Sequence, residues 1–324
     1  MTRAVLRAAE INGDSVTGIL AGWAGLLEGR FREIKFADFE DAIGSGGTML
    51  TTSRTNPLKK ERGLEIIEAN MEKAGIDALI AVGGDDTLGV AAKLAERGVK
   101  VIGIPKTIDN DLAGTDYSFG FFTAVDEATK LIESLATTGR SHERVMVVEV
   151  MGRDAGWIAS FAGLAAGANM VIVPEFKTGL DEVVALVMAR QKAGRKSAVI
   201  VVAEGVDLGY KGDIEKDEFG HALVAKAEGE SNASFLARYI ERKTGAETRA
   251  TVLGHTIRGT QPNSYDRVMA TKLGFSAMEA AHAGRHGMMV AVRGTQIVEV
   301  PLAEGSRKKF LDKETWRVAK SFFA

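Results

Sequence analysis

The chain reads as an α/β protein built around mostly parallel sheet, and three observations carry that reading. Short runs rich in β-branched and apolar residues are apolar almost throughout, as expected of parallel strands covered on both faces. Longer runs between them repeat their apolar residues at three- and four-residue steps and stop at a glycine, as helices do. The two kinds alternate along the chain, which predicts βαβ units with right-handed crossovers and binding at the carboxyl ends of the strands.

The first helical pattern, "LEIIEANMEKAG" at 64–75, ends at Gly75 and leads into the candidate strand "DALIAVGG" at 77–84. A second helix, "DTLGVAAKLAERG" at 86–98, ends at Gly98 and precedes the strand "VKVIGIP" at 99–105. Further strands are expected at 144–152 (RVMVVEVMG), 168–175 (ANMVIVPE), 197–205 (SAVIVVAEG) and 287–294 (GMMVAVRG). Helices are expected at 180–194, closed by Gly194, and at 232–245. Residues 205–231, richer in glycine and charge, read as a surface excursion between a strand and a helix. No internal repeat or linker is visible, so if there are two domains the chain weaves between them.

Composition narrows the function. The 324 residues are 45% hydrophobic and 26% charged, ordinary for a globular protein that buries a sizeable core. Lys and Arg number 41 against 43 Asp and Glu, a net charge of −2, so nothing global points to nucleic acid and any anion site is local. Cysteine is absent, which excludes disulfides, thiolate nucleophiles and cysteine-ligated zinc and fits a reducing cytoplasm. No apolar run approaches the ~20 residues of a membrane span, and "MTRAVLRAAE" lacks the features of a signal peptide. The five histidines are not expected to hold a metal.

Chemistry-bearing residues gather just after candidate strands. In GGDDT (83–87) Gly83 and Gly84 let the backbone approach an anion, and the following helix aims amide hydrogens and its positive dipole end at it; the alternative is that Asp86 or Thr87 merely caps the helix. PKTIDND (105–111) packs Thr107, Asp109 and Asp111 into a loop where a carboxylate could take a proton from an alcohol, or where Asx turns account for all three. MGRDAGW (151–157) offers Arg153 as a bidentate phosphate ligand, or an ordinary helix start. Glu175 and Glu204 end strands and could accept sugar hydroxyls, or begin loops. ETRATVLGHTIRG (247–259) supplies Arg249, His255 and Arg258, suited to a dianionic phosphate or to a solvated basic edge, and Arg54 sits in a glycine- and threonine-rich loop. As a set, two phosphate-type sites, paired carboxylates and no thiol suit phosphoryl transfer to an alcohol.

In order and spacing, GGDDT, PKTIDND, SHERVMVVEVMGR, PE, AEG and ETRATVLGHTIRG resemble the 6-phosphofructokinases, nearest the pyrophosphate-dependent or mixed-substrate bacterial type, over nearly the whole chain. The resemblance implies two doubly wound α/β domains with the active site between them: a donor domain of residues 1–120 and 259–300, and a sugar-phosphate domain of residues 121–258 and 301–324. It implies Asp109 as the base that deprotonates the 1-hydroxyl of fructose 6-phosphate and Asp85 as the Mg2+ ligand, with Thr107 and Asp111 around the reacting groups. Gly83, Gly84 and Arg54 would meet the donor. Met151, Gly152, Arg153 and Glu204 match positions touching sugar and phosphoryl group, and Arg144, Arg249, His255 and Arg258 match the clamp on the sugar 6-phosphate. Arg144 and Arg249 would come from a neighbouring subunit, which implies a homodimer or homotetramer with shared sites in the cytoplasm.

The resemblance also explains the paired aspartates. ATP users in this family typically carry glycine at the second position, where it leaves room for the α-phosphate; pyrophosphate users carry aspartate there, with lysine before TIDND. This chain has Asp86 and Lys106. Two like charges ~4 Å apart repel by roughly 4 kcal/mol at an effective dielectric near 20, on the order of a thousandfold in affinity. Asp86 would therefore repel a nucleotide's α-phosphate, while Lys106 receives the phosphate that pyrophosphate leaves behind. The expected reaction is reversible transfer from pyrophosphate to fructose 6-phosphate, giving fructose 1,6-bisphosphate and phosphate. The alternatives are an ATP-dependent 6-phosphofructokinase and an inactive sugar-phosphate-binding subunit; a NAD-binding enzyme is disfavoured because no GxGxxG follows a strand. The last alternative arises because the family's opening strand and glycine-rich turn have no counterpart here, where the first helix begins at Thr2. The expectation for the chain as written is weak donor binding and poor stability.

Overall fold

The computed structural model describes residues 1–208 and 229–323. Most of the predicted excursion at 205–231 (residues 209–228, with His221) lies outside the described residues. The chain divides into two compact units, one of Met1–Thr123 and Gln261–Lys309, the other of Ala124–Thr260 and Phe310–Ala324.

The first unit opens with α1 (Thr2–Asn12), β1 (Thr17–Ile19), α2 (Trp23–Glu28) and β2 (Phe31–Glu33). There follow α3 (Gly63–Lys73), β3 (Leu79–Gly83), α4 (Asp85–Glu96), β4 (Val101–Thr107) and the short β5 (Phe119–Gly120). Helix α5 (Phe121–Ser141) carries the chain into the second unit, which runs β6 (Val145–Val150), α6 (Trp157–Ala165), β7 (Met170–Ile172), α7 (Leu180–Lys192), β8 (Ala198–Ala203), α8 (Asn232–Thr244) and β9 (Thr248–Val252). The first unit resumes with α9 (Ser264–His282), β10 (Met288–Arg293), β11 (Gln296–Pro301) and α10 (Leu302–Gly305), and α11 (Lys313–Lys320) belongs to the second.

The predicted mostly parallel architecture is present in each unit. The first unit's main sheet has the order β11-β10-β4-β3, with β5 also on β4; β3, β4, β5 and β10 are parallel and only β11 is antiparallel. Alternate side chains of its strands go to opposite cores. Val101, Met289 and Ala291 pack with Leu88, Leu94, Ile67 and Met71 of α3 and α4. Their neighbours Ile102, Ile104, Val290 and Val292 pack with Leu273, Ala277 and Ala280 of α9. That is the two-residue period of a strand covered on both faces. β11 pairs with β10 along its whole length, which keeps residues 301–309 with the first unit.

The second unit's sheet, in the order β7-β8-β6-β9, is parallel throughout. Every residue of β6 and β8 is buried. β6 nonetheless contains Glu149, whose Oε2 accepts the Ala233 N–H at 2.9 Å in the first turn of α8. The carboxylate there meets an otherwise orphaned amide at a positive helix end, which offsets its burial.

β4 runs two residues past its predicted end. Past Gly103 β10 no longer pairs with it, and β5 pairs instead at Lys106 and Thr107. Pro105 is thereby held in the strand opposite Gly83 of β3, and the loop after it starts at the sheet edge where β3 also ends.

The C-terminal helix is fastened by stacking. Asp312 caps α11 by accepting the Thr315 N–H at 2.8 Å, and Trp316, buried, stacks on Phe176 at 5.1 Å between ring centroids. Trp316→Ala should lower the second unit's unfolding free energy by roughly 3–5 kcal/mol, read as a fall in the urea midpoint.

Candidate active site

The first unit places its predicted residues at the carboxyl ends of β3 and β4. Gly83 closes β3 and Gly84 is the N-cap of α4, without a side-chain cap bond. Neither Asp86 nor Thr87 is the cap. Gly83 is forced by packing, since a Cβ there would stand 2.5 Å from Thr87 Cβ. A Cβ on Gly84 would stand 3.6 Å from Thr107 Cβ, so the two strand ends adjoin. Asp85 and Asp86 are the first two helical residues, Asp85 half-buried and Asp86 exposed. The helix dipole favours both carboxylates.

Beyond β4 the loop closes on itself. The Thr107 hydroxyl accepts the Asp109 N–H at 3.1 Å and lies 3.4 Å from Asp109 Oδ2. Ser118 Oγ donates to the Thr107 carbonyl at 2.7 Å. Between them Asn110 takes the left-handed conformation, φ 53°, and is wholly buried. Its Oδ1 accepts the Ser118 N–H at 3.1 Å. The turn alternative is thus realised only at Thr107, whose hydroxyl meets the backbone two residues on, while Asn110 reaches across the loop to Ser118.

Charge accumulates here. Asp111 is buried, and its carboxyl is pushed up to about 6, first by burial and then by the negative charges of Asp109 and Asp85. Among the described residues its Oδ1 has no hydrogen-bond partner. Lys308 Nζ stands 3.7 Å from Asp85 Oδ2 and partly offsets the field. Lys106, before this loop, and Arg54, on its own loop, are both exposed. Among the described residues no group of three or more His, Asp or Glu could enclose a metal. His282 and His286 do stand four residues apart, but α9 ends at His282, whose Nδ1 lies 2.8 Å from Asp14. The Asp85 surroundings suit a hard cation that keeps water and phosphate among its ligands, such as Mg2+, which takes one or two carboxylates rather than a closed cage.

The second unit sorts its predicted residues between the two ends of one sheet. In register, Val150 of β6 lies beside Ala203 of β8, and Glu149 beside Val252 of β9. Met151, Gly152 and Arg153 after β6, Glu204 after β8, and His255 and Arg258 after β9 therefore share the carboxyl end. Arg153, Glu204, His255 and Arg258 are exposed there. Gly152 adopts φ 135°, closed to side chains. Glu204 N–H donates to the Val150 carbonyl at 2.9 Å and Gly205 N–H to the Gly152 carbonyl at 3.1 Å. A Cβ on Gly205 would stand 1.7 Å from the Arg153 carbonyl oxygen. That close approach is why AEG must end in glycine. Asn232 Nδ2 donates to the carbonyls of Glu204 and Val206, at 3.1 and 3.0 Å, and steadies the same turn.

Arg144 and Arg249 lie at the opposite, amino end, where Arg144 precedes β6 and Arg249 is the second residue of β9. Both pair with Glu247, Arg144 at 2.7 Å. At ~3.3 Å per residue, the six residues of β6 put Arg144 roughly 20 Å from the carboxyl end, and the three that follow Arg249 in β9 put it roughly 10 Å away. Both guanidinium groups are turned to Glu247 rather than toward the residues after β8 and β9. Glu175 is held by the backbone: its carboxylate accepts the Gly156 N–H at 3.0 Å, at the N-cap of α6, and the Leu311 N–H at 2.9 Å. Lys308, Lys309, Asn110 and Ser118 escaped the sequence reading. The lysines lie about 200 residues from the loop they serve, and no local spacing announces them.

Comparison with known proteins places the chain among phosphoryl-transfer enzymes. The family model described as phosphofructokinase matches residues 1–281. A pyrophosphate--fructose 6-phosphate 1-phosphotransferase of Amycolatopsis methanolica is 49% identical over 99% of this chain and 94% of its own length. An ATP-dependent 6-phosphofructokinase of Mycobacterium tuberculosis is 44% identical over the same shares. Among solved structures, a pyrophosphate-dependent phosphofructokinase from Nitrosospira multiformis superposes with a TM-score of 0.84 at 20% identity, over 100% of this chain and 86% of that one, which speaks to the fold alone.

Two outcomes test this geometry. Gly205→Ala should push the Arg153 backbone aside and cut turnover at least tenfold, with the loss measured in the steady-state assay. Asp111→Asn should stabilise the protein at pH 7. The folded chain holds the Asp111 proton more tightly than the unfolded chain does. Its destabilising charge is therefore absent below the ordinary value of 3.8, develops as pH rises, and is complete above about 6. Urea titrations should show the variant ahead by up to about 3 kcal/mol at pH 7, and the gap closing towards pH 4.

Proposed function

Because the chain belongs to the phosphofructokinase family, we propose that it transfers a phosphoryl group from pyrophosphate to the 1-hydroxyl of fructose 6-phosphate, reversibly and in glycolysis. The observation that carries the choice of donor is Asp86. It stands exposed in the first turn of α4, after a glycine that already serves as the cap, so its charge is not consumed in closing its own helix. Relatives named for the pyrophosphate reaction, at 42–49% identity, support the same reading.

Asp109 is the base. It takes the proton of the sugar 1-hydroxyl as that oxygen forms its bond to the transferred phosphorus and the bond to the departing phosphate breaks. Thr107 orients Asp109 through the contacts described above, and Asp111 lies beside the reacting hydroxyl and phosphate. Gly83 and Gly84 let the donor phosphates approach the amides of α4. Arg54 and Arg153 meet the charge that spreads over the transferred group, and Lys106 receives the leaving phosphate. Asp85 would hold Mg2+, which would supply positive charge to neutralise the phosphates. Met151, Gly152 and Glu204 bound the sugar, and His255 and Arg258 hold its 6-phosphate.

Arg144 and Arg249 complete that clamp from a second copy. The placement of these arginines at the opposite sheet end supports this assignment, under which the enzyme is a homodimer or homotetramer; we propose that it works in the cytoplasm.

The ATP-dependent relative at 44% identity keeps a second donor in view. Asp86→Gly decides between them. With both donors competing, the variant should shift the ATP-to-pyrophosphate ratio of kcat/KM towards ATP by tenfold or more. An unchanged ratio would remove Asp86 as the selector.

A further inference from the structure

We propose that Lys309 is the positioning residue for the base: its ammonium holds the loop that carries Asp109 in its reactive shape. The inference rests on the reading of Asp109 above and adds to it a residue from a distant part of the chain.

Three observations lead to Lys309. First, its Nζ reaches three acceptors of the loop at once, Asn110 Oδ1 at 3.2 Å, the Thr115 carbonyl at 3.0 Å and the Asp116 carbonyl at 2.8 Å. An ammonium carries three donors on one atom and matches that set, which no neutral side chain does. Second, one of these acceptors, Asn110 Oδ1, belongs to the residue that most needs holding. Asn110 is the one left-handed, non-glycine residue of the loop, φ 53°, and it separates Asp109 from Asp111. A residue in that conformation persists when its surroundings over-determine it. Lys309 and the Ser118 N–H together saturate its carbonyl oxygen.

Third, the backbone under Lys309 is itself locked to the loop. Leu112 and Lys308 form an antiparallel bridge, flanked by Ala113 N–H to the Arg307 carbonyl at 2.8 Å and Lys309 N–H to the Asp111 carbonyl at 2.6 Å. Successive residues of such a bridge point to opposite sides. Lys308 accordingly goes to Asp85, and Lys309 goes beneath Asn110. Burial pushes the Lys309 ammonium down to about 8, with Asp116 and Asp111 pulling the other way. Three acceptors of the loop surround the cation there against that cost of burial.

A base displaced by about 1 Å costs on the order of a hundredfold in rate without altering how substrates dock. The signature expected is therefore a fall in kcat rather than a rise in KM.

The test compares wild type with Lys309→Met and with Lys309→Cys, the latter introducing the chain's single thiol. Wild-type transfer from pyrophosphate to fructose 6-phosphate is measured first; if it is absent, the functional reading falls, independently of Lys309. Given wild-type activity, Lys309→Met should lose about a hundredfold in kcat with both KM values within threefold. Lys309→Cys should be equally slow. It should recover at least tenfold after alkylation with 2-bromoethylamine, which rebuilds a side chain of near-lysine length ending in an ammonium, and should not recover after alkylation with 1-bromopropane, which is of the same length and uncharged. Loss of kcat with rescue by the ammonium alone supports the proposal, including where Lys309→Met fails to fold. A kcat for Lys309→Met within threefold of wild type, a loss expressed in KM alone, or equal rescue by the propyl group overturns it.

Discussion

Carboxylates crowd the carboxyl ends of β3 and β4, and their mutual repulsion is the constraint around which the first unit's site is arranged. Asp85, Asp109 and Asp111 sit close enough for the first two to raise the third. Unrelieved, such a cluster would drive the loop apart or protonate throughout. The structure relieves it on several sides. Helix α4 turns its positive end to Asp85 and Asp86, Lys308 approaches Asp85, and the Thr107 hydroxyl and the backbone around Asn110 fix where Asp109 stands. What remains is a negative field at the end of a sheet.

The second unit solves the reverse problem, gathering positive charge without letting it neutralise itself. Arg153, His255 and Arg258 are exposed at the carboxyl end of the sheet, with Glu204 beside them. Arg144 and Arg249 are held at the amino end by Glu247. One acidic residue thus keeps two arginines in fixed poses on the far side of the sheet from the residues with which they are grouped by sequence motif.

Most of the sheet framework was legible in the sequence because buried parallel strands are locally emphatic. β3, β6, β8 and β10 fall inside their predicted ranges, and α3, α4, α7 and α8 differ from theirs by one or two residues. The strands passed over had weaker local signals. β9 is an edge strand, with Arg249 and Ala250 exposed, so "TRATV" reads as part of a basic stretch rather than as a strand. β5 has two residues and exists only because β10 leaves β4 early. The long helices α5 and α9 were not singled out. At the site, the residue types after each strand were readable because turn chemistry and charge are local properties. The separation of Arg144 and Arg249 from Arg258 followed from strand length and register. The two lysines were invisible, since what qualifies them is a bridge between segments far apart in the chain.

That bridge has a consequence for the order in which the protein is made. The loop after β4 leaves the ribosome early, but the partner that fixes it, Lys309, is translated 199 residues after Asn110. A nascent chain stopped between Asp111 and Lys309 holds Asp85, Asp109 and Asp111 but lacks the ammonium that reaches the loop carrying the last two. The shape of that loop is thus completed by residues made long after the loop itself.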